Sequence, residues 1–401
     1  MKVSVFNPYN VYPPNSGNKV TVNNQNRIIS QHFSLDFSWW IKERNTIQTD
    51  RVGGGRIKQI DLSNNLLSAL SKSKPIRVFS LLRGITISES MDYPAHILKR
   101  AVREPRAGIE IYHHSSAYNW LVRCKNSDAT RRVVVVHDRL ANLFTLRAQQ
   151  AENAITKNLL NINAKIAGAH EKRLAEFVDQ IWCVNANDVF YFAKDQPENK
   201  VRHIFPPIDI NFCRKVRQGV LTNTAVRSNY SKSIGVIGDY NHVPNLLSLK
   251  HIIYNLCPIL FKKGFTGKIS VVGKGVTSEL LNEINKYKFI EYFGFIDSIE
   301  NFWCEVDLLV LPHVGATGVR MKLVEALGMG VPVITNSAGL LGYPDDVRGC
   351  KGVIQMDGDD NWAEYINNVD HRSKRLDFSR DLVPESIDAE DKILASLHEL
   401  K

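Results

Sequence analysis

Short runs of apolar, often β-branched residues recur along the whole chain and are separated by longer segments of mixed polarity. The runs are continuously apolar rather than alternating, a pattern typical of parallel strands that are covered on both faces. The longer segments, such as 140–178 and 243–263, are long enough for helices, so the pattern predicts a doubly wound α/β architecture. The apolar runs lie at residues 2–6, 76–82, 109–113, 131–137, 180–184, 234–240, 268–275, 289–295, 306–312 and 331–335.

The alternation of strands and helices is interrupted once, near the middle of the chain. A strand at 201–210 stops at Pro206 and Pro207, and the polar, basic stretch 211–233 shows no clear period, so we interpret it as a linker. A chain of 401 residues also exceeds what one hydrophobic core normally spans. We therefore expect two Rossmann-like domains, residues 1–210 and 234–375, and a helical tail, 376–401, that returns to the first domain.

The composition is that of an ordinary globular protein and argues against membrane-spanning helices, a signal peptide and a zinc site. Hydrophobic residues make up 44% and charged residues 23%, and no stretch approaches the ~20 apolar residues that a membrane-spanning helix requires. The start, "MKVSVFNPYN", reads as a first strand rather than as a signal peptide, which predicts a cytoplasmic protein. The six cysteines are scattered without a Cys-x-x-Cys pair, so we expect reduced thiols and no zinc site.

The formal net charge of +10 points towards anionic partners. Lys and Arg are dispersed without a run of five or more, and no zinc-finger spacing or RNA-binding motif occurs, which argues against nucleic acid. A phosphate-bearing substrate, or peripheral contact with the anionic inner face of a membrane, explains the surplus more economically. Solvated surface charge without a partner is the alternative.

A glycine loop and a charged helix follow the strand that ends at Pro312. Ligands of open α/β sheets gather at such strand ends, where the amides of a helix start can bind phosphate. Gly315 and Gly318 allow a close approach to the backbone, and Arg320 with Lys322 would flank the phosphate. Glu325 shares a face with Lys322 at i+3 and can accept hydrogen bonds from the vicinal hydroxyls of a ribose. The alternative is a surface Lys322–Glu325 ion pair on a core helix.

Several spaced motifs, read together, resemble one enzyme family. They are Gly238, "VPN" (243–245), "VVGKG" (271–275), Gly294, Pro312, "GVRMKLVEALGMGVPVI" (318–334) and "GLLGY" (339–343). In this order they resemble the retaining glycosyltransferases of family four, the glycogen-synthase-like group, most clearly over residues 234–342. The resemblance implies the GT-B fold, in which two Rossmann-like domains face each other across a cleft. It also implies an activity: transfer of a sugar from a nucleoside diphosphate sugar to an acceptor hydroxyl with retention of configuration.

The resemblance implies roles for residues of the second half. Glu325 matches the carboxylate that holds the donor ribose, Arg320 and Lys322 match neighbours of the diphosphate, and Gly238 follows the first strand of the donor domain. The loop with Gly315, Thr317 and Gly318 matches the one that meets the sugar and diphosphate. Thr317 stands where many members have a glutamate that contacts the donor sugar, so the sugar cannot be inferred by analogy.

Two residues of the first half match the family more weakly. Gly17, in the loop after the first strand, corresponds to a glycine loop beside the donor phosphates, although an ordinary turn is the alternative. His137, at the end of "VVVVH", corresponds to a histidine near the reacting sugar, although strand-end histidines are often structural. We expect His137, Lys322 and Glu325 to act in catalysis, with no metal and no cofactor besides the donor. The expected acceptor is a glycan or lipid-linked molecule of surface polysaccharide or glycoconjugate synthesis.

Other function classes fit parts of the pattern. "SVVGKGVTSELL" (270–281) reads as the strand, Gly-x-Gly turn and helix of an NAD-dependent oxidoreductase, but Ser278 replaces the third glycine. A catalytically silent nucleotide- or glycan-binding protein is a second alternative, which Thr317 favours, and a nucleotide-sugar epimerase is a third. "RVGGGRIK" (51–58) follows no convincing strand, so we interpret it as a flexible acceptor-side loop. The adjacent His113 and His114 should point in opposite directions on a strand, which argues against joint metal binding.

Overall fold

The computed structural model consists of two compact units. Unit 1 comprises Met1–Pro207 and Ala389–Lys401, and unit 2 comprises Ile208–Asp388. The chain therefore returns to unit 1 at its end, where His32 contacts Glu390 at 3.2 Å. The expected start of this return, residue 376, is too early, because the helix His371–Arg380 belongs to unit 2. The structure describes residues 2–9, 17–41, 51–52, 55–61, 81, 83–93, 108–124, 130–222, 232–296, 298–314, 318–380, 384, 387 and 389–400.

Unit 1 is built on an eight-stranded sheet with the order β3-β4-β2-β1-β5-β6-β7-β8. Neighbouring strands are parallel except β3 and β4. The chain leaves β1 towards β2 on one side and resumes at β5 on the other, so the carboxyl ends of β1 and β5 flank the topological switch point. The strands are β1 Lys2–Asn7, β2 Ser34–Ile41, β3 Arg51–Val52, β4 Gly55–Asp61, β5 Gly108–His113, β6 Thr130–Val136, β7 Gln180–Cys183 and β8 Val201–His203.

The helices of unit 1 include the predicted segment 140–178, which the structure divides in two. The second of these helices, Ala154–Arg173, has its own N-cap, because the Asn153 side chain accepts a hydrogen bond from the N–H of Thr156 at 2.9 Å. The described helices of unit 1 are Gly17–His32, Ile87–Asp92, Tyr118–Arg123, Leu140–Gln149, Ala154–Arg173, Ala186–Ala193 and Glu390–Glu399.

The edge of the unit 1 sheet corrects one prediction and adds a strand. The interpretation of segment 51–58 as a flexible loop is wrong, because β3 and β4 form an antiparallel pair there. β4 also pairs with β2. Edge strands carry charged residues, so a search for continuously apolar runs misses them. The predicted strand at 76–82 lies, apart from residue 81, outside the described residues.

Unit 2 is built on a six-stranded parallel sheet with the order β11-β10-β9-β12-β13-β14. Its switch point lies between β9 and β12, since the chain proceeds from β9 towards β11 on one side and from β12 towards β14 on the other. The strands are β9 Ser233–Ile237, β10 Lys268–Val272, β11 Ile290–Gly294, β12 Leu308–Val310, β13 Val333–Thr335 and β14 Val353–Gln355. The described α-helices are Ile210–Thr222, Val243–His251, Cys257–Lys262, Ser278–Ile284, Ile299–Glu305, Met321–Gly328, Asp345–Arg348, Asp359–Asn368 and His371–Arg380.

The segment 211–233, which we interpreted as a linker, begins inside a helix of unit 2. The helix Ile210–Thr222 buries Cys213, Val216 and Val220, which recur at helical spacing. Arg217 lies among them and is also buried, because its guanidinium donates to the carbonyls of Leu327 and Gly328 at 2.7 and 2.8 Å. The linker interpretation is therefore wrong for residues 211–222: a buried arginine within a narrow apolar face hides the helical period.

Among the described residues, no helix combines the length and the hydropathy that crossing a membrane requires.

Candidate functional site

The carboxyl ends of β9 and β10 in unit 2 pack closely through their backbones. Gly238 follows β9, and its N–H donates to the carbonyl of Val272 at 3.1 Å. A Cβ on Gly273, which has a φ of 134°, would lie 1.7 Å from the carbonyl oxygen of Gly238. Both the close approach and the positive φ therefore require glycine at residue 273. The predicted site residue Gly238 thus lies beside the switch point, where a ligand can approach the main chain.

Arg320 lies at the same end of the sheet and is held by main-chain and hydroxyl oxygens. Its Nη1 donates to the carbonyl of Pro312 at 2.7 Å, and Nη2 donates to the Ser248 hydroxyl at 3.0 Å and the Pro244 carbonyl at 3.4 Å. Burial lowers the pKa of Arg320 from its ordinary value. No carboxylate pairs with the guanidinium among the described residues. Its positive charge is therefore uncompensated locally, which favours an anion nearby.

The helix Met321–Gly328 begins directly after Arg320. The N–H of Arg320 donates to the Tyr343 hydroxyl at 2.7 Å, and this hydroxyl donates to the carbonyl of Arg320 at 2.9 Å. Burial raises the pKa of Tyr343, so the hydroxyl stays protonated. The N–H of Lys322, in the first turn, has no hydrogen-bond partner among the described residues. The start of the helix thus offers an unused amide and the positive end of the helix dipole.

Lys322 and Glu325 form an ion pair on this helix, with Nζ and Oε2 2.8 Å apart. The Glu325 side chain is 12% exposed and that of Lys322 is 29% exposed. The second carboxylate oxygen of Glu325, Oε1, has no hydrogen-bond partner among the described residues. The ion pair of the alternative interpretation is therefore formed, and among the described residues it leaves one carboxylate oxygen for a further donor.

The other predicted donor-binding residues divide between described and undescribed parts of the chain. Gly318 is described and half-buried, two residues before Arg320. Gly315 and Thr317 lie outside the described residues, so their expected contacts stay predictions. Gly17 does not lie in a loop, as we expected, but is the first residue of the helix Gly17–His32.

His137 lies at the carboxyl end of β6 in unit 1, within a cluster of three histidines. Its Nε2 hydrogen-bonds Nδ1 of His113 at 3.0 Å, and its ring stacks on that of His114 with centroids 4.6 Å apart. His137 is 4% exposed and His113 is 1% exposed. Burial, and then the neighbouring histidines, hold the pKa of His137 well below its usual range, and burial and His114 do the same for His113. Both rings are therefore neutral at neutral pH.

The expectation that His113 and His114 point in opposite directions is wrong. His113 is the last residue of β5, but His114 has a φ of 76° and leaves the strand. Its backbone N–H donates to the carbonyl of Val135 at 2.8 Å, and its Nε2 hydrogen-bonds the Tyr9 hydroxyl at 2.7 Å. Positive φ is rare outside glycine, so the alternation that holds within a strand does not extend to this residue.

A polar cluster follows His137 along the chain. Arg139 donates to Glu171 at 3.4 Å and lies over the Tyr191 ring, 3.3 Å from its centroid. Glu171 also accepts a hydrogen bond from the N–H of Ala141 at 3.3 Å, at the start of the helix Leu140–Gln149. Burial raises the pKa of Glu171 to about 7 even though Arg139 lowers it. This carboxylate therefore fixes the segment that leaves β6.

Sequence reasoning missed Tyr9, Ser248 and the hydroxyl of Tyr343. Ser248 lies one turn after Pro244, and its hydroxyl lies 2.8 Å from the carbonyl oxygens of both Pro244 and Pro312, either of which can accept its proton. Helical spacing gives the first contact, but only tertiary structure gives the second. In the part of the chain that the structure describes, no three His, Cys, Asp or Glu side chains are grouped to hold a metal ion.

Comparison with known proteins relates both the sequence and the fold to glycosyltransferases. Residues 231–369 match the sequence model of the family described as glycosyl transferases group 1. No curated protein matches the chain.

Solved structures match over almost the whole chain. Sucrose-phosphate synthase from Thermosynechococcus elongatus is 11% identical with a TM-score of 0.65, covering 100% of this chain and 96% of that chain. HepE from Anabaena, in complex with UDP and glucose, is 13% identical with a TM-score of 0.58, covering 99% of each chain. A TarM variant from S. aureus, in complex with fondaparinux, α-GlcNAc-glycerol and UDP, is 10% identical with a TM-score of 0.61, covering 100% and 99%.

Identities this low show a shared fold, and the family match supplies the relationship in sequence. Residues 231–369 therefore resemble the glycosyl transferases group 1 family in sequence, and the chain, with its two Rossmann-like units, shares the GT-B fold of the solved glycosyltransferase structures.

Proposed function

We propose that this chain transfers a sugar from a nucleoside diphosphate sugar to an acceptor hydroxyl with retention of configuration. The observation that carries the proposal is that Arg320 and Glu325 lie at the same helix. Arg320 is a partly buried cation with no acidic partner among the described residues, and Glu325 keeps one carboxylate oxygen unpartnered there. A nucleoside diphosphate presents a diphosphate and a ribose diol together, which suit such a cation and such a carboxylate.

The chemical problem is a developing oxocarbenium ion beside a departing diphosphate. The bond between the sugar C1 and the phosphate oxygen breaks, and its electron pair leaves with the diphosphate. Arg320, Lys322 and the unused amide of Lys322 would stabilise this charge electrostatically. The acceptor oxygen then bonds to C1 on the face from which the diphosphate departs, and the acceptor proton passes to the departing phosphate. Retention follows from attack on that face.

We assign His137 of unit 1 to the donor sugar. Its Nε2 is occupied by His113, whereas its Nδ1 has no hydrogen-bond partner among the described residues. A neutral ring can hydrogen-bond a sugar hydroxyl without repelling the positive charge that develops at C1. The proposal uses no metal and no cofactor besides the donor, and Gly17, Gly238, Gly315, Thr317 and Gly318 are its donor-binding backbone positions.

The acceptor that we propose is a glycan or lipid-linked molecule of surface polysaccharide or glycoconjugate synthesis. The net charge of +10 favours peripheral binding to the anionic cytoplasmic face of a membrane. Among the structural neighbours, HepE was solved with UDP and glucose, and TarM with UDP and α-GlcNAc-glycerol. These complexes make UDP-sugars the first donors to test.

Two measurements test the proposal. Thermal-shift assays should show stabilisation by a nucleoside diphosphate but not by NAD(H), because only bound ligands stabilise the folded state. Mass spectrometry after incubation with a panel of nucleotide sugars should then detect slow release of free sugar without acceptor. Stabilisation by NAD(H) alone would favour an oxidoreductase, and binding without any sugar release would favour a catalytically silent protein.

A further inference from the structure

Two side chains contact His137 near the switch point of the unit 1 sheet, and a third, Tyr9, contacts one of these two. His113 ends β5, His114 follows it, and Tyr9 follows β1, so all three come from the two strands that flank the switch point. Ligand sites of open α/β sheets form at such positions. The surroundings of His137 therefore bear on how its ring meets a ligand.

His113 determines which ring nitrogen of His137 is available. The hydrogen bond between Nδ1 of His113 and Nε2 of His137 occupies one nitrogen of each ring. The backbone of His113 is itself fixed, because the Tyr93 hydroxyl donates to its carbonyl at 2.5 Å. A neutral imidazole carries one proton, so one of these two nitrogens donates and the other accepts, and the bond couples the tautomer of His137 to that of His113.

His114 determines the plane of the His137 ring. The two rings are 30° from parallel, and the Tyr9 hydroxyl holds Nε2 of His114 at 2.7 Å. His114 makes this stack with a φ of 76°, a conformation that favours glycine. A residue kept in an unfavourable conformation by its side-chain contacts is typical of functional sites.

We propose that His113 and His114 are positioning residues for His137: His113 fixes its tautomer, and His114, held by Tyr9, fixes the plane of its ring. This inference rests on the proposed role of His137 at the donor sugar. Neither residue needs to touch the substrate, and both act through the orientation of one ring.

Variants of His113 separate positioning from general support. His113→Leu should lower kcat about 10- to 100-fold through misplacement of the reacting groups, while the donor KM changes less than about twofold. His113→Asn should restore most of the activity, because its amide nitrogen is as far along the side chain as Nδ1. His251→Leu, which removes a partly exposed hydrogen bond with Asp359 in unit 2, is the matched control and should leave kcat unchanged.

His114→Gly provides a second test in which folding is favoured. Glycine suits the positive φ, so Tm should stay constant or rise while kcat falls about tenfold from loss of the stack. Tyr9→Phe should have a smaller effect of the same kind. A parallel loss of Tm and kcat in His114→Gly, or no loss of kcat, would show that His114 does not position the ring.

Nitrogen NMR of ¹⁵N-histidine-labelled chain reads the tautomer of His137 without an activity assay. The parent and His113→Asn should show one tautomer, and His113→Leu should show a mixture. An unchanged tautomer in His113→Leu would overturn the role of His113. If no nucleotide sugar is turned over by the parent, the proposed function fails, and the NMR result still decides whether His113 selects the tautomer.

Discussion

Replacement of Glu325 by glutamine tests the proposed ribose contact with little change of shape. The carboxylate has one oxygen on Lys322, at 2.8 Å, and one that is unpartnered among the described residues. Hydrogen bonds to charged groups contribute about 1.5–3 kcal/mol, so loss of the charge should weaken donor binding by about 2 kcal/mol. That corresponds to a dissociation constant about 30-fold higher. The ion pair with Lys322 is partly exposed and is worth less than about 1 kcal/mol, so stability should change little.

The same unit contains a matched control. Glu283, on the helix Ser278–Ile284, pairs with Lys286 at the same i+3 spacing, with 2.7 Å between the charged atoms. Glu283→Gln should therefore reproduce any effect of losing such a pair without affecting donor binding. A similar loss of affinity in both variants would indicate a general electrostatic effect rather than a contact.

Calorimetry with UDP and its 2′-deoxy analogue gives the decisive comparison. The parent should bind UDP about tenfold more tightly than the analogue, since a ribose hydroxyl contributes one charge-assisted hydrogen bond. Glu325→Gln should bind both ligands with equal, weak affinity. If the variant binds UDP as tightly as the parent, or keeps the preference for ribose, Glu325 is a structural residue and the reasoning is refuted.

Three further predictions concern stability. Gly273→Ala should abolish UDP binding and lower Tm, because the added methyl would lie 1.7 Å from the Gly238 carbonyl oxygen. Gly264→Ala is the control: no atom lies within 4 Å of its added methyl, so it should cost only the strain of its positive φ. Arg217→Met should destabilise the chain by about 2–4 kcal/mol in urea unfolding, because it removes the guanidinium hydrogen bonds to the buried carbonyls of Leu327 and Gly328. Because burial raises the pKa of Glu171 from 4.5 to about 7, the folded chain binds more protons than the unfolded chain between these values and loses stability as pH rises through them. Glu171→Gln should remove this part of the pH dependence of the free energy of unfolding, which is on the order of 3 kcal/mol. Tm measured across this pH range checks it.

The buried strands could be predicted because each contains a continuous run of apolar residues in the sequence. β6 contains four consecutive valines and β9 is apolar after Ser233, and this local property does not depend on the rest of the chain. β2, β4 and β14 give no such signal, because a strand near an edge tolerates polar residues and is stabilised by its neighbours. The helix Ile210–Thr222 was mistaken for a linker for a related reason, since Arg217 is buried by partners more than 100 residues away along the chain.

The candidate site divides in the same way. The i+3 spacing of Lys322 and Glu325 predicts their pairing, because the contact lies within one helix. The geometry around His137 could not be predicted, because it depends on one backbone angle. The rule that neighbours on a strand point in opposite directions fails once His114 takes a φ of 76°, and nothing in "IYHHSS" indicates where the strand ends.

Arg320 shows why the type of partner matters more than the number of hydrogen bonds. A carboxylate at this position would satisfy the guanidinium and also neutralise it, leaving little attraction for a diphosphate. Carbonyl and hydroxyl oxygens hold the same group through dipoles, so the hydrogen bonds are satisfied while the charge is retained. The depressed pKa of Arg320 reflects the energetic cost of this arrangement, and bound phosphate would relieve it. We therefore expect part of the proposed affinity for a diphosphate to come from this uncompensated charge of the unliganded fold.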